Sequence, residues 1–464
     1  MIAGTHSGVG KTTITTAVMA AMSEQGYNVQ PYKVGPDYID PSYHNLATGN
    51  RCRNLDAWML TESMLHTLFT KSAAKADIAV IEGVMGLFDG SSGTGDHGSS
   101  AHIAKLLKCP VILIVDVKSM ARSAAAIVLG YRDFDPDLNL AGVILNRIGS
   151  ERHLRMVREA IETYCEVPVI GYIKKNASLE LPSRHLGLVP TVEGGALTDR
   201  VRALADEIKD GIDIGNLVQI AQSAQPLEVT RDIRDKLIQA KENGCNERVK
   251  IGIAWDEAFS FYYQDGLEAL ENQGAQLVKF SPLHDTHLPE GIDGLYIGGG
   301  FPEVFLGELA VNQGLIREIR DAGQAGMPVF AECGGLMYLC QAIVDFDGGE
   351  YPMVGLVPGK SIMERKLAGM GYVEAESITD NILSGAGNKI KGHEFHYSRL
   401  EPVSGEEFKY AFRLYRNRYR DTIPEGYAGG NILASYLHAH FASDPELAER
   451  FVGACIEYKQ QRFF

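Results

Sequence analysis

The sequence predicts an α/β protein made of two α/β domains in tandem, and three observations predict it. Short apolar runs alternate with longer helical patterns through the first part of the chain, as in a mainly parallel sheet covered by helices. A glycine-rich loop ending in Lys-Thr stands between the first apolar run and the first helical run. A second strand-and-helix series starts near Lys250 and carries a cysteine at a strand-to-helix turn. A chain of 464 residues is too long for one ordinary core, so two domains are expected.

The expected strands of the first domain are residues 29–34, 78–82, 111–116, 140–146 and 169–172, each followed by a loop rich in Gly, Ser or Asp. Ligands gather at that edge of a parallel sheet. From about residue 199 the strands stop and the text turns helical and charged, which reads as a connector. The resulting division is a P-loop domain at 1–198, a helical connector at 199–248, a second α/β domain at 249–446 and a terminal helix at 447–464.

Composition narrows the function. With 45% hydrophobic and 22% charged residues, the chain has the balance of a globular enzyme. A net charge of -15 argues against a broad nucleic-acid footprint, which needs Lys and Arg on phosphates. No apolar run approaches spanning length and no signal-like segment opens the chain, so a cytoplasmic protein without membrane attachment is expected. Seven scattered cysteines without a C-x-x-C pair argue against a disulfide framework or structural zinc site.

Gly4-Thr5-His6-Ser7-Gly8-Val9-Gly10-Lys11-Thr12-Thr13 lies between a short strand and a helical run at 14–23. Its glycines let backbone N–H groups face phosphates, Lys11 neutralises the β/γ charge and the Thr12 hydroxyl can ligate Mg²⁺. The strict G-x-x-x-x-G-K-[ST] spacing is missed by one residue, because the first glycine is Gly4 and position 5 is Thr. This variant resembles the dethiobiotin synthetase-like branch of P-loop proteins. Glu82, at the end of an apolar strand, and Asp89, in the following Gly-rich loop, are candidate metal or substrate acids; either can also be an ordinary strand-end or loop acid. Asp37 and Asp40 bracket a turn in Lys33-Val-Gly-Pro-Asp37-Tyr38-Ile39-Asp40, where acids often only shape the backbone.

In the second domain, Pro328-Val-Phe-Ala-Glu-Cys333-Gly334-Gly335 reads as strand, tight turn and helix. Such an elbow exposes the thiol at a helix N-terminus, where thiolate is favoured. Ser435-Tyr-Leu-His438-Ala-His440 resembles the class I glutamine amidotransferase pattern, with His438 aligned to the general base. Where full triads carry Glu, this chain has His440, which leaves a Cys/His dyad. Backbone N–H groups of Gly300 and Gly334 are candidates for an oxyanion hole, although a plain glycine turn is the other reading of Tyr296-Ile-Gly-Gly-Gly300. Gly392-His393-Glu394-Phe-His396 lacks helical H-E-x-x-H spacing; a metal site, a substrate-facing surface and local structure all stay open for it.

Residues 4–13, 33–41, 53–56 and 82–90, together with the two C-terminal motifs, resemble the cobyrinate a,c-diamide synthase family along essentially the whole chain. The resemblance implies a carbon–nitrogen ligase of cobalamin biosynthesis with glutamine as amido donor. ATP would phosphorylate the c and then the a carboxylate of cobyrinate, and ammonia from glutamine would displace each phosphate. It further implies Mg²⁺ at Thr12, Glu82, Asp37 and Asp56, with Asp37, Asp40 and Asp89 beside the substrate carboxylate. Tyr38 and Ile39 would touch the macrocycle and Asn146 the nucleotide base. No N-K-x-D guanine signature is present, which favours ATP over GTP. A homodimer is compatible with this reading. Two other readings stand beside it: a diamide synthase acting on Ni-sirohydrochlorin in coenzyme F430 formation, and a ParA/MinD-like nucleotide switch with a silent amidotransferase domain.

Overall fold

A computed structural model describes residues 1–175, 183–184, 187–188, 197–227, 248–403, 408–416 and 422–462. The chain divides into two compact units, Met1–Leu237 and Ile238–Phe464.

The first unit is built on seven strands: β1 (Ile2–Gly4), β2 (Val29–Val34), β3 (Arg53–Leu55), β4 (Ile78–Glu82), β5 (Val111–Asp116), β6 (Leu140–Ile148) and β7 (Val169–Lys174). They lie in the order β3-β2-β4-β1-β5-β6-β7, every neighbouring pair parallel. Parallel strands covered on both faces need near-continuous apolar runs, as in Val111–Asp116, whose first five residues are buried. Neighbours on opposite sides of β1 come from different stretches of chain, so the loop after Gly4 opens at the carboxyl edge where ligands bind in such sheets. Strand β6 runs two residues past its expected end, with Arg147 in the left-handed region (φ 63°). A short antiparallel pair, β8 (Ser183–Arg184) and β9 (Gly187–Leu188), follows.

Helix α1 (Lys11–Glu24) is buried on almost every face from Ile14 to Met22. A helix that is apolar all round needs cover on both sides. One side is the sheet. The other is α2 (Asp40–Thr48) with α3 (Leu197–Ile208) and α4 (Ile214–Gln222), whose Val201, Leu204, Ala205, Ile208 and Leu217 share one core with Val18 and Met22. The helices expected in a connector therefore complete the first core, because their apolar stripe recurs at helical spacing and is buried. The rest of that stretch, 228–247, lies outside the described residues.

The second unit contains a ten-stranded sheet. Its parallel half joins β12 (Ala275–Phe280), β10 (Val249–Ala254), β13 (Gly294–Ile297), β15 (Val329–Glu332) and β24 (Ile432–Ser435). The antiparallel half continues through β23 (Thr422–Gly429), β22 (Tyr410–Arg416), β19 (Gly369–Ser377), β20 (Lys389–His396) and β25 (His438–Ala439). A short ladder pairs β11 (Phe259–Phe261) with β14 (Gly299–Gly300). A separate four-stranded sheet joins β16 (Cys340–Val344), β17 (Glu350–Pro352), β18 (Val357–Met363) and β21 (Ser398–Pro402). Helix α5 (Gly334–Leu339) follows β15, and α6 (Pro445–Gln461) packs Phe451 and Cys455 into the core that holds Phe330 and Phe441.

Candidate active sites

The loop from Gly4 to Gly10 is shaped by close approach as much as by curvature. A Cβ on Gly4 would lie 2.4 Å from Val9 Cγ1, so no larger residue fits beneath the returning loop. Gly10, at φ 99°, turns the chain into α1. Thr5 replaces the glycine of the strict spacing, and its carbonyl accepts from the Tyr131 hydroxyl at 2.6 Å. Ser7 and Gly8 stand exposed at the tip, and Thr13 is half-buried in the first turn of α1. Asn146 Nδ2 donates to the Val9 carbonyl at 2.8 Å. That contact braces the loop.

Behind the loop lies a buried ionic cluster. Thr12 Oγ1 donates to Glu82 Oε1 (2.8 Å) and lies 3.0 Å from Asp40 Oδ2. Lys33 Nζ bridges the same two oxygens at 2.6 and 2.8 Å. The second oxygen of Glu82 meets His44 Nε2 at 2.6 Å, and His44 Nδ1 lies 3.3 Å from Thr16 Oγ1. Burial alone would raise the Glu82 carboxyl, but Lys33 and His44 hold it well below the usual carboxylate range. For Lys33 burial works downward, and the carboxylates of Asp40 and Glu82 override it and hold the ammonium well above its ordinary value. Burial and then the neighbouring Lys33 lower Lys11 to about 8. Its Nζ meanwhile donates to the carbonyls of His6 (3.2 Å) and Met85.

Not all the predicted acids converge on this cluster. Asp37 Oδ1 accepts from the N–H groups of Ile39 (2.8 Å) and Asp40 (3.0 Å), capping the start of α2, while Oδ2 lies 4.0 Å from Lys33 Nζ. Asp56 Oδ1 accepts from the N–H groups of Trp58 and Met59, both at 2.9 Å, in a turn. Asp89 Oδ2 accepts from Gly86 N–H at 2.9 Å and shapes the loop whose Met85 carbonyl faces Lys11. Tyr38 and Ile39 are half-buried at the entry to α2. Lys33 and His44 were missed as site residues. Lys33 lies in β2, all six of whose residues are buried, a setting that admits an ammonium only with paired charge, but with Gln30 in the same run the sequence does not single it out.

In the second unit Cys333 occupies the turn between β15 and α5, with φ 49° and ψ -103°. A non-glycine residue in that region is strained, and the strain is held by the Cys333 N–H bond to the Ser435 carbonyl (2.7 Å). The thiol is not the exposed thiolate that the elbow suggested. Cys333 is 6% exposed, and burial followed by the nearby Glu303 pushes its thiol well up, outweighing the Gly334 N–H that favours the thiolate. Its Sγ lies 3.8 Å from the Phe395 carbonyl.

One glycine strand, β14, closes against the elbow. A Cβ on Gly334 would lie 3.1 Å from the Gly300 nitrogen, and one on Gly299 would lie 2.6 Å from His438 Cε1. The Gly299–Gly300 strand is thus in van der Waals range of both the elbow and the imidazole. Burial and then His393 hold His438 well below its ordinary value, so it is a neutral imidazole. Its ring stacks on that of His393, centroids 4.7 Å apart. His393 Nε2 pairs with the Tyr263 hydroxyl at 2.8 Å, and the Tyr263 ring stacks on His440 at 4.7 Å. His440 Nδ1 accepts from Ala442 N–H (3.1 Å), and its Nε2 has no hydrogen-bond partner among the described residues.

Positions 393 and 396 alternate across β20 and point to opposite faces, so the two histidines cannot chelate together. His396 instead stacks on Tyr436 and pairs its Nδ1 with the Ser398 carbonyl at 2.6 Å. Among the described residues no group of three His, Cys, Asp or Glu side chains is placed to hold a metal ion.

Comparisons with known proteins agree on both halves. Residues 1–189 match the CobQ/CobB/MinD/ParA nucleotide binding domain, and residues 250–446 match the CobB/CobQ-like glutamine amidotransferase domain. The chain is 48% identical to cobyrinate a,c-diamide synthase of Dehalococcoides mccartyi, covering 97% of each protein. It is 47% identical to the enzyme of that name from Caldanaerobacter subterraneus subsp. tengcongensis, over 99% of this chain and 98% of the relative. With the Priestia megaterium enzyme of the same name it shares 44% identity, over 100% of this chain and 98% of the relative.

Proposed function

The chain belongs to the cobyrinate a,c-diamide synthase family, and from that premise we propose that it amidates the a- and c-carboxylates of cobyrinate with ATP and glutamine. The observation that carries the reading is the presence, on one chain, of two chemically distinct sites. Thr12, Asp40 and Glu82 bring hard oxygen donors together behind a phosphate-binding loop. Cys333 is held at a strained elbow against the glycine strand that also meets His438.

A carboxylate is a poor electrophile, and phosphorylation by ATP supplies the leaving group that ammonia displaces. Lys11 and the loop N–H groups would bind the β- and γ-phosphates. The oxygens of Thr12, Glu82 and Asp40 suit Mg²⁺, which favours oxygen ligands and retains water and phosphate in its shell. A bound Mg²⁺ would neutralise the charge shared by the β- and γ-phosphates. Asp37 and Asp89 remain candidates beside the substrate carboxylate, each with one oxygen already engaged by backbone N–H. Asp56 contributes to a turn.

At the second site, His438 would take the proton of Cys333 as the thiol attacks the glutamine amide and return it to the nitrogen as the C–N bond breaks, so that ammonia leaves and water then hydrolyses the thioester to glutamate. Backbone N–H groups of Gly300 and Gly334 would stabilise the oxyanion. Starting from a buried thiol and a neutral imidazole avoids holding a charge pair in an apolar interior until substrate enters. We place the enzyme in the cytoplasm, and a homodimer is part of the proposal. No helix among the described residues is long and apolar enough to cross a membrane.

The test is turnover of the purified chain with cobyrinate, ATP and glutamine, read by mass as mono- and diamide. Exclusive turnover of Ni-sirohydrochlorin would overturn the substrate assignment. Cys333→Ala should remove glutamine use while free ammonia still supports amidation; an unchanged glutamine-driven rate would overturn the nucleophile.

A further inference from the structure

Glu332 immediately precedes the nucleophile, yet its side chain points away from solvent and is 1% exposed. Its Oε1 accepts from the N–H of Ala439, the residue after His438, at 2.8 Å. Its Oε2 accepts from the Tyr296 hydroxyl at 2.6 Å. Tyr296 lies in β13, the strand leading into Gly298-Gly299-Gly300, and its ring packs edge-on against Tyr262 at 4.9 Å. The Tyr262 hydroxyl in turn accepts from Gly298 N–H at 2.8 Å. One carboxyl group therefore ties three segments together: the elbow, the strand of the base and the strand that feeds the glycine run. From the other side, the Cys333 N–H grips Ser435, so the stretch from Ser435 to Ala439 is fastened to the end of β15 at both ends.

A buried carboxyl is expensive, and a core of this kind could have been closed with an apolar residue. We propose that Glu332 is a positioning residue of the glutaminase reaction, setting the reach of His438 and the glycine strand toward Cys333 through its bonds to Ala439 N–H and Tyr296 OH. This rests on the amidotransferase reading of the Cys333 site. Burial raises the carboxyl to about 8, so near neutrality the neutral acid predominates and its Oε2 proton is donated to the Tyr296 oxygen, whereas the carboxylate formed above that pH accepts from the Tyr296 hydroxyl across the same 2.6 Å contact. A neutral amide can reproduce both contacts. Glutamine at 332 accepts from Ala439 N–H through its oxygen and donates to the Tyr296 oxygen through its NH₂.

The experiment compares Glu332→Leu, Glu332→Gln and Tyr296→Phe in the full chain, with Cys333→Ala as control, each driven by glutamine and separately by ammonium salt. With Glu332→Leu, glutamine-driven kcat is expected to fall about 100-fold, with KM for glutamine within about threefold and ammonia-driven amidation unchanged, the size expected of about 1 Å misplacement. Glu332→Gln should recover glutamine-driven kcat to within about tenfold of wild type, and Tyr296→Phe should lose several-fold without change in ammonia use. Above about pH 8 the wild-type glutamine-driven rate should show an inflection that Glu332→Gln lacks. Equal glutamine-driven kcat in wild type and Glu332→Leu, or equal losses in Glu332→Leu and Glu332→Gln, would overturn the proposal. If Glu332→Leu loses ammonia-driven turnover as well, the comparison of Glu332→Gln with Tyr296→Phe decides, and a Gln variant slower than the Phe variant overturns it. Failure of the underlying reading looks different: Cys333→Ala would keep its use of glutamine.

Discussion

Thr12 Oγ1 donates to Glu82 Oε1 over 2.8 Å, while the other oxygen of Glu82 is gripped by His44 Nε2 at 2.6 Å. The carboxylate that faces the phosphate loop is therefore fixed from behind by a fully buried imidazole. Glu82→Gln keeps the volume but removes the charge that Lys33 and His44 answer. ATP-driven amidation is expected to fall at least about 100-fold while glutamine hydrolysis at Cys333 persists. Stability should fall by about 3 kcal/mol, the low end for a broken buried pair because Asp40 still holds Lys33. Urea unfolding and separate assays of the two half-reactions measure this, and near-wild-type ATP-driven turnover would remove Glu82 from the site. The pH sign follows from Glu82 lying below its ordinary 4.5: its contribution is present above that value and is lost as pH falls beneath it.

Lys11 predicts a proton taken up on nucleotide binding. In the free loop it titrates at about 8 against an ordinary 10.5, because it is buried beside Lys33. Phosphates favour its charged form and raise it again. Between about pH 8 and 10.5, ATP binding should therefore absorb up to one proton and weaken as pH rises, by at most about tenfold per pH unit. For folding without nucleotide the sign is opposite, since the unfolded chain holds this proton more tightly and stability from Lys11 grows as pH rises through that window. Calorimetry in two buffers of different ionisation enthalpy reads the uptake directly; a buffer-independent enthalpy near pH 9 would refute it.

The chemistry-bearing residues in strand-to-loop junctions were legible because backbone demands and chemistry coincide there. Gly4 to Thr13 announces a tight turn and Cys333-Gly334-Gly335 an elbow, both of which the structure forms, and the phosphate-binding and nucleophile roles proposed above rest on those same residues. What could not be read is cross-chain pairing. Glu82 is far in sequence from both Lys33 and His44, and only the parallel register that sets Lys33 opposite Glu82 brings the first pair together. The thiol's exposure was misread for the same reason: a helix N-terminus is visible locally, whereas burial comes from β24, β20 and the glycine strand. Helices α3 and α4 looked like a connector because the need of α1 for cover on its outer face is a property of the packed unit.

Gly300 supplies a steric prediction. A Cβ there would lie 1.9 Å from the Ala258 carbonyl oxygen, a backbone atom that cannot swing aside. Gly300→Ala must therefore move the strand that abuts Gly334. Glutamine-driven kcat is expected to fall about 100-fold or more, the scale for loss of an oxyanion donor, while ammonia-driven amidation is retained. Gly307, whose added Cβ meets nothing within 4 Å, is the control, and Gly307→Ala should leave both rates unchanged. Equal behaviour of the two variants would exclude the glycine strand from the site.

His440 stands where a triad would place glutamate, and its observed contacts are a stacked Tyr263 ring and the Ala442 N–H. It should behave as a packing residue. His440→Ala is expected to lower glutamine-driven kcat by less than about tenfold, against about 10³-fold or more for His438→Ala. Loss of the stack and of the Ala442 acceptor should destabilise the fold by about 1–3 kcal/mol at neutral pH. Burial holds His440 at about 4, below its ordinary 6.5, so the unfolded chain takes up this proton first and wild-type stability falls as pH drops from 6.5 toward 4. His440→Ala should therefore show a shallower loss of stability over that interval, measured as urea midpoints at several pH values. A glutamine-driven defect as deep as that of His438→Ala would instead make His440 a member of the catalytic group.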